Sequence, residues 1–537
     1  MNDPTASGEH GPGQLRTDKP LAERRAVARR EPVLTPPADV LQRYNARVLD
    51  PTTAMVVAGQ APIRPTVYIA DRLIVSGHAD QTTRGALQEA ARRLGLALVL
   101  DEKGRGLKAP EVAARAQLPT DRLPIRLRLV PNSAAPTPAP DAWPVLQTFR
   151  SLLPRDAPGQ KQVALDHLLT ATSSPDIGGS PFVLSHSVGG SPFVLSHAVG
   201  SYQYAVAGTG GRQPVNWVGA PPLRTERPSR RPVVAVIDTG VGTHPWLPPD
   251  VVQLQPMVLD VPIGDAETTG VTLDPYEGIL DQDAGHGTFI AGLIRQYCGD
   301  ANILAVRIMG GDGVVPESNL LDAVWLLLLR QQTAIAANNA ADIVDVVSLS
   351  LGYYHEQPDD LTFDPELLTP LGELGKLGVA VVAAAGNDAT DRPMYPAAFT
   401  PWSGGTITAV DPNSVPVVSV GATNPNRTIA LFSNAGPWVA CHRPGAALVS
   451  TFPTSFNASE QPSYAVHVKG DRTRATIDPD DFSGGFGVWS GTSFAGPVLA
   501  GQLAAQLCQW DLTALDRSSA VGRGWAAVKA CVQGMAP

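Results

Sequence analysis

Short apolar runs alternate with longer amphipathic segments through the second half of the chain. The runs are continuous and rich in β-branched residues, which predicts buried strands, and the segments between them have the apolar spacing of helices. Predicted strands cover Ile303–Ile308, Ile343–Leu349 and Val379–Ala383, and predicted helices cover Ser318–Ala337 and Pro365–Leu377. Because such alternation is typical of a parallel sheet with helices on both faces, residues 216–537 predict a three-layer α/β domain.

Residues 63–172 show a different order of elements. Predicted strands cover Thr66–Val75, Leu96–Leu100, Pro124–Val130 and Lys161–Thr170, and predicted helices cover Thr82–Leu94 and Asp141–Leu153, with Asp141 as a helix cap. In chain order these elements follow the pattern β-α-β-β-α-β, which is the ferredoxin-like arrangement. We therefore expect a small α+β domain of this type, with an unrelated α+β accessory domain as the alternative.

Two segments lack such periodicity. Residues 1–62 are rich in proline and arginine and predict a flexible arm. Residues 173–215 predict a linker, in which the sequence GGSPFVLSH occurs twice in tandem. A unit this short is too small for a solenoid, so we interpret the repeat as a duplication within a surface linker. A metal pair of His186 and His197 is the alternative, but no set of carboxylates or thiols accompanies these histidines.

Composition and charge exclude some classes of function. The 537 residues are 43% hydrophobic and 17% charged, which indicates a globular protein of more than one domain. The formal net charge of -9 argues against nucleic acid as a general partner. The apolar run Ala323–Leu329 is too short to cross a bilayer, and no apolar signal segment follows the arginine pairs near the start. We therefore expect a cytoplasmic protein without a membrane partner.

Three residues stand in settings that suit acyl-transfer chemistry. Asp238 ends a buried-looking apolar run, His286 lies between two glycines, and Ser493 lies in the sequence Gly-Thr-Ser-Phe-Ala-Gly-Pro at the start of a helical pattern. A serine hydroxyl becomes a nucleophile when a neutral imidazole takes its proton, and a carboxylate fixes the tautomer of that imidazole. The amino end of a helix favours the negative charge that develops during attack. Each residue alone has an ordinary structural explanation, so the prediction rests on their joint occurrence.

These settings, in the chain order Asp, His, Ser, resemble those of the subtilisin-like serine peptidases, the subtilases. A fourth segment agrees, because an apolar run ends in Gly386 and Asn387, where the family has the asparagine of its oxyanion hole. The resemblance implies a subtilisin-like parallel-sheet, three-layer fold for the large domain. The implied catalytic residues are Ser493 as nucleophile, His286 as general base and acid, Asp238 as its orienting carboxylate, and Asn387 as oxyanion donor.

The resemblance also extends to substrate binding and control. The segment Ser348–Gly352 is similar to the family segment that pairs with substrate backbone, and residues 383–386 would form the opposite wall of the primary pocket. The implied substrate-binding residues are Ser350, Leu351, Gly352, Ala384 and Gly386. The small domain resembles the family's inhibitory propeptides in size and position, so the N-terminal segment is an expected intramolecular inhibitor. We further hypothesise that the linker enters the cleft, with Tyr204–Ala205 as one candidate self-cleavage bond.

No cofactor is expected for the chemistry. The four cysteines lack metal-ligand spacing, and we expect free thiols, with a Cys508–Cys531 pair as the alternative. The acidic segment 248–283 lacks the regular ligand spacing of a calcium loop, so a solvated insert is favoured and a structural calcium stays open. A polar insertion at 455–487 is a candidate flap beside the cleft.

The sequence therefore predicts a serine endopeptidase that hydrolyses protein or peptide substrates through an acyl-enzyme and is controlled by its N-terminal domain. One alternative is a selective processing protease or peptide transferase, in which the insertions exclude water. The other is a binding protein with a silent catalytic site, against which the four intact segments argue.

Overall fold

A small α+β region precedes a larger α/β region in the computed structural model. The described residues are 31–32, 34, 36–60, 62–101, 108–116, 123–132, 139–172, 211–226, 230–268, 278–357, 365–403, 406–407, 411–470 and 472–535. The helices are α1 (Ala38–Tyr44), α2 (Gln81–Arg93), α3 (Ala109–Arg115), α4 (Ala142–Leu152), α5 (His286–Tyr297), α6 (Glu317–Ala336), α7 (Pro365–Lys376), α8 (Thr492–Leu507) and α9 (Arg517–Cys531).

The strands fall into two groups along the chain. The first group is β1 (Ala46–Leu49), β2 (Thr66–Val75), β3 (Leu96–Leu100), β4 (Ile125–Pro131), β5 (Val163–Ala171) and β6 (Gln213–Pro214). The second group is β7 (Val233–Asp238), β8 (Val252–Leu254), β9 (Met257–Val258), β10 (Val261–Pro262), β11 (Asn302–Arg307), β12 (Val314–Pro316), β13 (Val346–Leu349), β14 (Leu351–Gly352), β15 (Ala380–Ala384), β16 (Trp402–Ser403), β17 (Thr406–Ile407), β18 (Val417–Thr423), β19 (Cys441–Pro444), β20 (Leu448–Thr451), β21 (Ala465–Val468), β22 (Arg472–Ala475) and β23 (Phe486–Trp489).

The small region is an antiparallel sheet covered by helices. Its strands lie in the order β5-β2-β4-β3, and α2 and α4 bury Leu87 and Phe149 in a core shared with Leu73 and Leu165 of the sheet. In chain order the elements are β-α-β-β-α-β, with the short helix α3 added between β3 and β4. Asp141 accepts a hydrogen bond from the backbone N–H of Trp143 at 3.1 Å and so caps α4, as its position before an apolar segment predicts.

Part of the predicted flexible arm is ordered. Within residues 1–62, α1 and β1 form, and β1 pairs antiparallel with the first half of β2. Arg43 of α1 forms an ion pair of 2.6 Å with Asp312 of the larger region. The prediction of a flexible arm is therefore wrong for 38–49. The reason is physical: the few apolar residues of this stretch, such as Val40 and Leu49, are buried in clusters that include distant parts of the chain.

The larger region is built on seven parallel strands. Their order is β19-β18-β15-β13-β7-β11-β8. Successive residues of a strand face opposite sides of a sheet. Val234 and Val236 of β7 accordingly join the core formed with α5, α8 and α9, while Ala235 and Ile237 join the core formed with α6 and α7. Burial on both faces explains the uninterrupted apolar runs and confirms the predicted three-layer α/β architecture.

Strand β5 belongs to both regions. Its first residues pair with β2 of the small sheet, and its last residues lie between β12 and β14 of the larger region. Asp166 of β5 also accepts hydrogen bonds from the backbone N–H of Ser318 at 2.9 Å and from its hydroxyl at 2.8 Å. The amino end of α6 is thus capped by the small region, because this helix begins at Glu317 after Pro316 and has no side-chain cap of its own there.

The two insertions contain short strands. In the acidic segment, β8 extends the central sheet and β9 pairs with β10. In the polar segment 455–487, β21 and β22 form an exposed hairpin. The four cysteines are free thiols, so Cys508 and Cys531 do not form a disulfide, and the sulfur of Cys508 lies 3.8 Å from that of Cys298. Among the helices of the described residues, none is both long and apolar enough to span a membrane.

Close packing of α5 against α8 predicts a stability effect. A Cβ added at Gly501 would lie 2.7 Å from Cβ of Tyr297 and 3.0 Å from the carbonyl oxygen of Ile294. We expect Gly501→Ala to force these helices apart and to destabilise the protein by about 1–3 kcal/mol. Gly522→Ala on α9 is the matched control, because its Cβ would meet nothing within 4 Å. Thermal unfolding should show a lower midpoint for the first variant only, and an unchanged midpoint for Gly501→Ala would contradict the packing.

Candidate active site

The carboxyl ends of three adjacent strands, β7, β13 and β15, form the floor of the site. Asp238 ends β7, Ser350 follows β13, and Asn387 follows β15. Parallel strands present their carboxyl ends at one edge of the sheet, so residues far apart in sequence meet there. His286 reaches the same edge as the first residue of α5, and Ser493 reaches it as the second residue of α8.

Asp238 and His286 are in direct contact. Nδ1 of His286 lies 2.8 Å from Oδ1 of Asp238, and both side chains are buried. The backbone N–H of Thr239 donates to the same carboxylate oxygen at 2.7 Å. Glycine at 287 permits this approach, because a Cβ there would lie 2.3 Å from the carbonyl oxygen of Gly240. The contact fixes the ring with Nε2 directed away from the carboxylate.

Charge and burial oppose each other at His286. Burial lowers the pKa of the imidazole, but the charge and the hydrogen bond of Asp238, with a smaller contribution from Asp283, raise the pKa above its ordinary value on balance. Nε2 of His286 and Oδ2 of Asp238 are buried and have no hydrogen-bond partner among the described residues. Nε2 is thus placed to exchange a proton with a group that enters the site.

The Ser493 hydroxyl is turned toward the end of β5. Its Oγ lies 2.8 Å from Oγ1 of Thr172 and donates to the carbonyl oxygen of Ser350 at 3.2 Å. The structure therefore brings Asp238 and His286 into contact, and it places Ser493 at the same edge with its hydroxyl bonded to other partners.

One carbonyl oxygen receives two donors beside Ser493. The carbonyl oxygen of Thr172 accepts hydrogen bonds from the backbone N–H of Ser493, at 3.1 Å, and from Nδ2 of Asn387. The amide of Asn387 is held in this orientation because its Oδ1 accepts from the backbone N–H and the hydroxyl of Thr492, at 2.9 and 3.0 Å. Two fixed donors on one carbonyl oxygen are the geometry that stabilises an oxyanion.

The end of β5 is bound as an extended strand. It pairs antiparallel with β14 on one side, Ala171 opposite Leu351 and Thr170 opposite Gly352, and with β12 on the other. The backbone N–H of Thr172 donates to the carbonyl oxygen of Ser350 at 3.0 Å. Three of the predicted substrate-binding residues thus contact a peptide strand.

The other two predicted substrate-binding residues lie nearby. Ala384 ends β15, and the backbone N–H of Gly386 donates to Oγ1 of Thr492 at 3.0 Å. Their role as a pocket wall stays a prediction. Sequence reasoning missed β12 and Thr172, since a three-residue strand before a helix and a threonine at the end of an ordinary strand carry little signal.

The segment beside Ser493 is the end of β5, which directly precedes the linker in sequence. The hypothesis that the linker enters the cleft stays a prediction. The tandem repeat, the pair His186 and His197, and the Tyr204–Ala205 bond lie outside the described residues.

Among the described residues, one group has the spacing of metal ligands. Candidate ligand atoms of His167, His355 and Glu356 lie within 4.8 Å of one another. However, both ring nitrogens of His167 contact carboxylates, Glu317 at 2.6 Å and Glu356 at 3.0 Å. Two acceptors fit a protonated imidazolium, which has no lone pair for a metal. This cluster therefore fits an ion network better than a metal site.

A protein-family model, the subtilase family of peptidases, matches residues 229–516, more than half of the chain. The chain is similar to the serine protease AprX of Bacillus subtilis, with 27% identity over 300 residues, covering 51% of this chain and 56% of AprX. It is also similar to subtilisin BL of Lederbergia lenta, with 28% identity over 236 residues, covering 42% of this chain and 68% of that protein. The match to AprX thus spans about half the length of that relative.

A solved structure, that of a cold-adapted subtilisin-like serine proteinase, is also similar to the chain. The identity is 22% and the TM-score is 0.34, with 54% of this chain and 79% of that chain covered.

Proposed function

This chain belongs to the subtilase family, and on that premise we propose that it is a serine endopeptidase whose N-terminal region occupies its own active site. The observation that carries the proposal is the carbonyl oxygen of Thr172, which accepts hydrogen bonds from Ser493 N–H and Asn387 Nδ2. A peptide carbonyl in this position is one that the neighbouring hydroxyl can attack. The proposed nucleophile is Ser493, and the proposed base is His286.

The proposed reaction uses side chains and backbone groups of this chain. The Ser493 hydroxyl turns from Ser350 toward His286, its proton passes to Nε2, and Oγ bonds to the carbonyl carbon. The electron pair of the C=O bond moves to the oxygen, where Ser493 N–H and Asn387 Nδ2 stabilise the negative charge. Asp238 stabilises the imidazolium through Nδ1, as its 2.8 Å contact permits.

Collapse of this intermediate breaks the peptide bond. The imidazolium of His286 gives its proton to the leaving nitrogen, and an ester between Ser493 and the acyl group remains. Water then attacks the ester with the same imidazole as base, which releases the carboxylate and restores the hydroxyl. Every proton taken by His286 is returned within the cycle.

The N-terminal region is proposed to act as a substrate and then as an inhibitor. With the carbonyl of Thr172 between the two donors, the bond to be cleaved is Thr172–Ser173. After cleavage the strand pairing of β5 with β12 and β14 and the cap that Asp166 gives to α6 would hold the small region in place. The contact between the hydroxyls of Ser493 and Thr172 explains why Ser493 does not lie against His286 in this state.

Labelling of Ser493 tests the proposal. Intact mass should show the wild-type chain shortened, and a fluorophosphonate probe should label it once the cleaved small region has dissociated. Ser493→Ala should stay full length and unlabelled, because it lacks the nucleophile. The exposed Ser455→Ala is the matched control and should behave as the wild type. A Ser493→Ala chain that is processed at the wild-type rate would contradict the proposal.

Removal of the side-chain oxyanion donor should slow the chemical step. We expect Asn387→Ala to lower kcat for peptide hydrolysis by about 10²–10³-fold, with a small effect on KM, because the donor acts mainly in the transition state. Asn413→Ala in an exposed turn is the control. Steady-state kinetics checks this, and a change confined to KM would show that Asn387 acts in binding instead.

The pH dependence follows from the raised pKa of His286. The neutral imidazole is the base, so activity is present above that pKa and is lost as pH falls through it. Since Asp238 raises the pKa, the acid limb of kcat/KM should lie above about 6.5, the ordinary imidazole value. Asp238→Asn should shift this limb downward and reduce kcat by about 10⁴-fold. The exposed Asp511→Asn should do neither, and an unmoved limb in Asp238→Asn would refute the assignment.

A further inference from the structure

A buried cation of the small region lies between two carboxylates of the larger region. His167 of β5 contacts Glu317 through Nδ1 at 2.6 Å and Glu356 through Nε2 at 3.0 Å. Its ring stacks on Tyr353, with ring centroids 4.5 Å apart, and the hydroxyl of Tyr353 donates to Glu317 at 3.3 Å. Two carboxylates and an aromatic face surround one basic side chain, which is the composition of a cation-binding site.

The contacts of the two histidines in this cluster differ, and they favour the charge on His167. Burial lowers the pKa of His167, but hydrogen bonds to Glu317 and Glu356 and their charges outweigh burial and raise the pKa to about 10. His355, a neighbour from the larger region, has its pKa lowered to about 4, first by burial. Its Nδ1 accepts the backbone N–H of Gln357 at 3.0 Å, which fits a neutral ring. The imidazolium of His167 is therefore the cation between the carboxylates.

The carboxylates belong to the larger region and their cationic partners do not. Arg150, whose guanidinium lies 3.5 Å from Oε1 of Glu356, comes from α4 of the small region, as His167 comes from β5. When the small region leaves, Glu317 and Glu356 lose both cations while the neutral His355 stays. Two carboxylates that face one site and have lost their counter-charges disfavour each other's charge, so the emptied site favours a new cation.

The position of the site relates it to the substrate. Because β5 continues from His167 to Ala171 and the backbone N–H of Thr172 still donates to Ser350, this stretch marks the track of an extended peptide. Counting Thr172 as the first residue on the amino side of the scissile bond, His167 is the sixth. This count rests on the proposed function, in which the carbonyl of Thr172 occupies the oxyanion hole.

We propose that Glu317, Tyr353 and Glu356 form an acidic subsite that selects peptide substrates with a basic side chain at the sixth position before the scissile bond. Arginine, lysine and protonated histidine have the required charge, and arginine can also stack on the ring of Tyr353. Substrates with an acidic residue there would meet two carboxylates and be rejected. The same site binds His167 in the intact chain, and it would bind the basic side chain of a substrate after the small region has left.

Quenched-fluorescence peptides that copy residues 167–176 test the subsite. The sixth position before the scissile bond is varied among Arg, His, Ala and Glu, and the wild-type chain is used as it processes itself, with active sites counted by fluorophosphonate labelling. At pH 7.5 we expect kcat/KM to be at least about tenfold higher for Arg than for Ala, the scale of a charged hydrogen bond. The Glu peptide should be the poorest substrate.

Variants separate recognition from folding. The double variant Glu317→Gln, Glu356→Gln should lose the preference for Arg over Ala. The readout is the ratio of kcat/KM for the two peptides in one preparation, because a change in the amount of active enzyme cancels in that ratio. Glu373→Gln, a glutamate on α7 paired with Lys376, is the control and should keep the preference.

A pH series adds a signature that packing alone would not give. The His peptide needs a protonated ring, and a free histidine has a pKa of about 6.5. The ratio of its kcat/KM to that of the Ala peptide should therefore be highest below that pH and should fall as pH rises from 6.5 to 8.5. The Arg peptide should keep its advantage over that range.

The outcomes are distinct. Equal turnover of the Arg, His and Ala peptides by labelled enzyme would overturn the acidic subsite and leave the proposed peptidase function standing. Retention of the Arg preference in the double variant would also overturn it. A wild-type chain that neither labels nor cleaves any of these peptides would overturn the proposed function and this inference with it.

Discussion

The site depends on one acceptor, the carbonyl oxygen of Thr172, and on the two donors that hold it. Ser493 N–H and Asn387 Nδ2 converge on this oxygen only because α8 begins, and β15 ends, at the same edge of the sheet. Thr492 orients the Asn387 amide, and the parallel strands fix the distance between the segments. The apolar core on both faces therefore serves chemistry by keeping these backbone ends in register.

The small region is attached through polar contacts as well as strand pairing. Asp166 caps α6, His167 lies between Glu317 and Glu356, and the end of β5 adds a strand between β12 and β14. Strand addition fixes which carbonyl reaches the donors, because backbone pairing sets the register. The proposed acidic subsite would in addition require a positive charge, which a substrate would have to supply in place of His167. Under the two proposals, inhibition and selectivity would be two uses of one set of contacts.

Much of the fold follows from local signals. Strands Thr66–Val75 and Leu96–Leu100 lie where their apolar and β-branched residues predict them, and Asp141 caps α4 as expected. The sequence predicts that α6 begins at Ser318, close to the observed start at Glu317, but the cap of this helix is Asp166 from another part of the chain. No local pattern contains that partner. The helix α1 and strand β1 were missed for the same reason, since distant residues bury them.

The site shows a similar division. Local sequence around Asp238, His286, Ser493 and Asn387 was enough to propose which residues meet, and the structure gathers them at one edge of the sheet. The local sequence could not show which segment lies beside Ser493, because the end of β5 has the composition of an ordinary strand. Pairing with β12 and β14 is a long-range property, visible only once the sheet is assembled.

The first residue of the processed chain tests the central claim most directly. N-terminal sequencing of the large fragment, after the wild-type protein has matured, identifies the bond that was cleaved. A fragment beginning at Ser173 would mean that the carbonyl of Thr172 lay between the two donors when Ser493 attacked. A first cleavage elsewhere, such as after Tyr204, would contradict the register on which the proposed mechanism and the acidic subsite both rest.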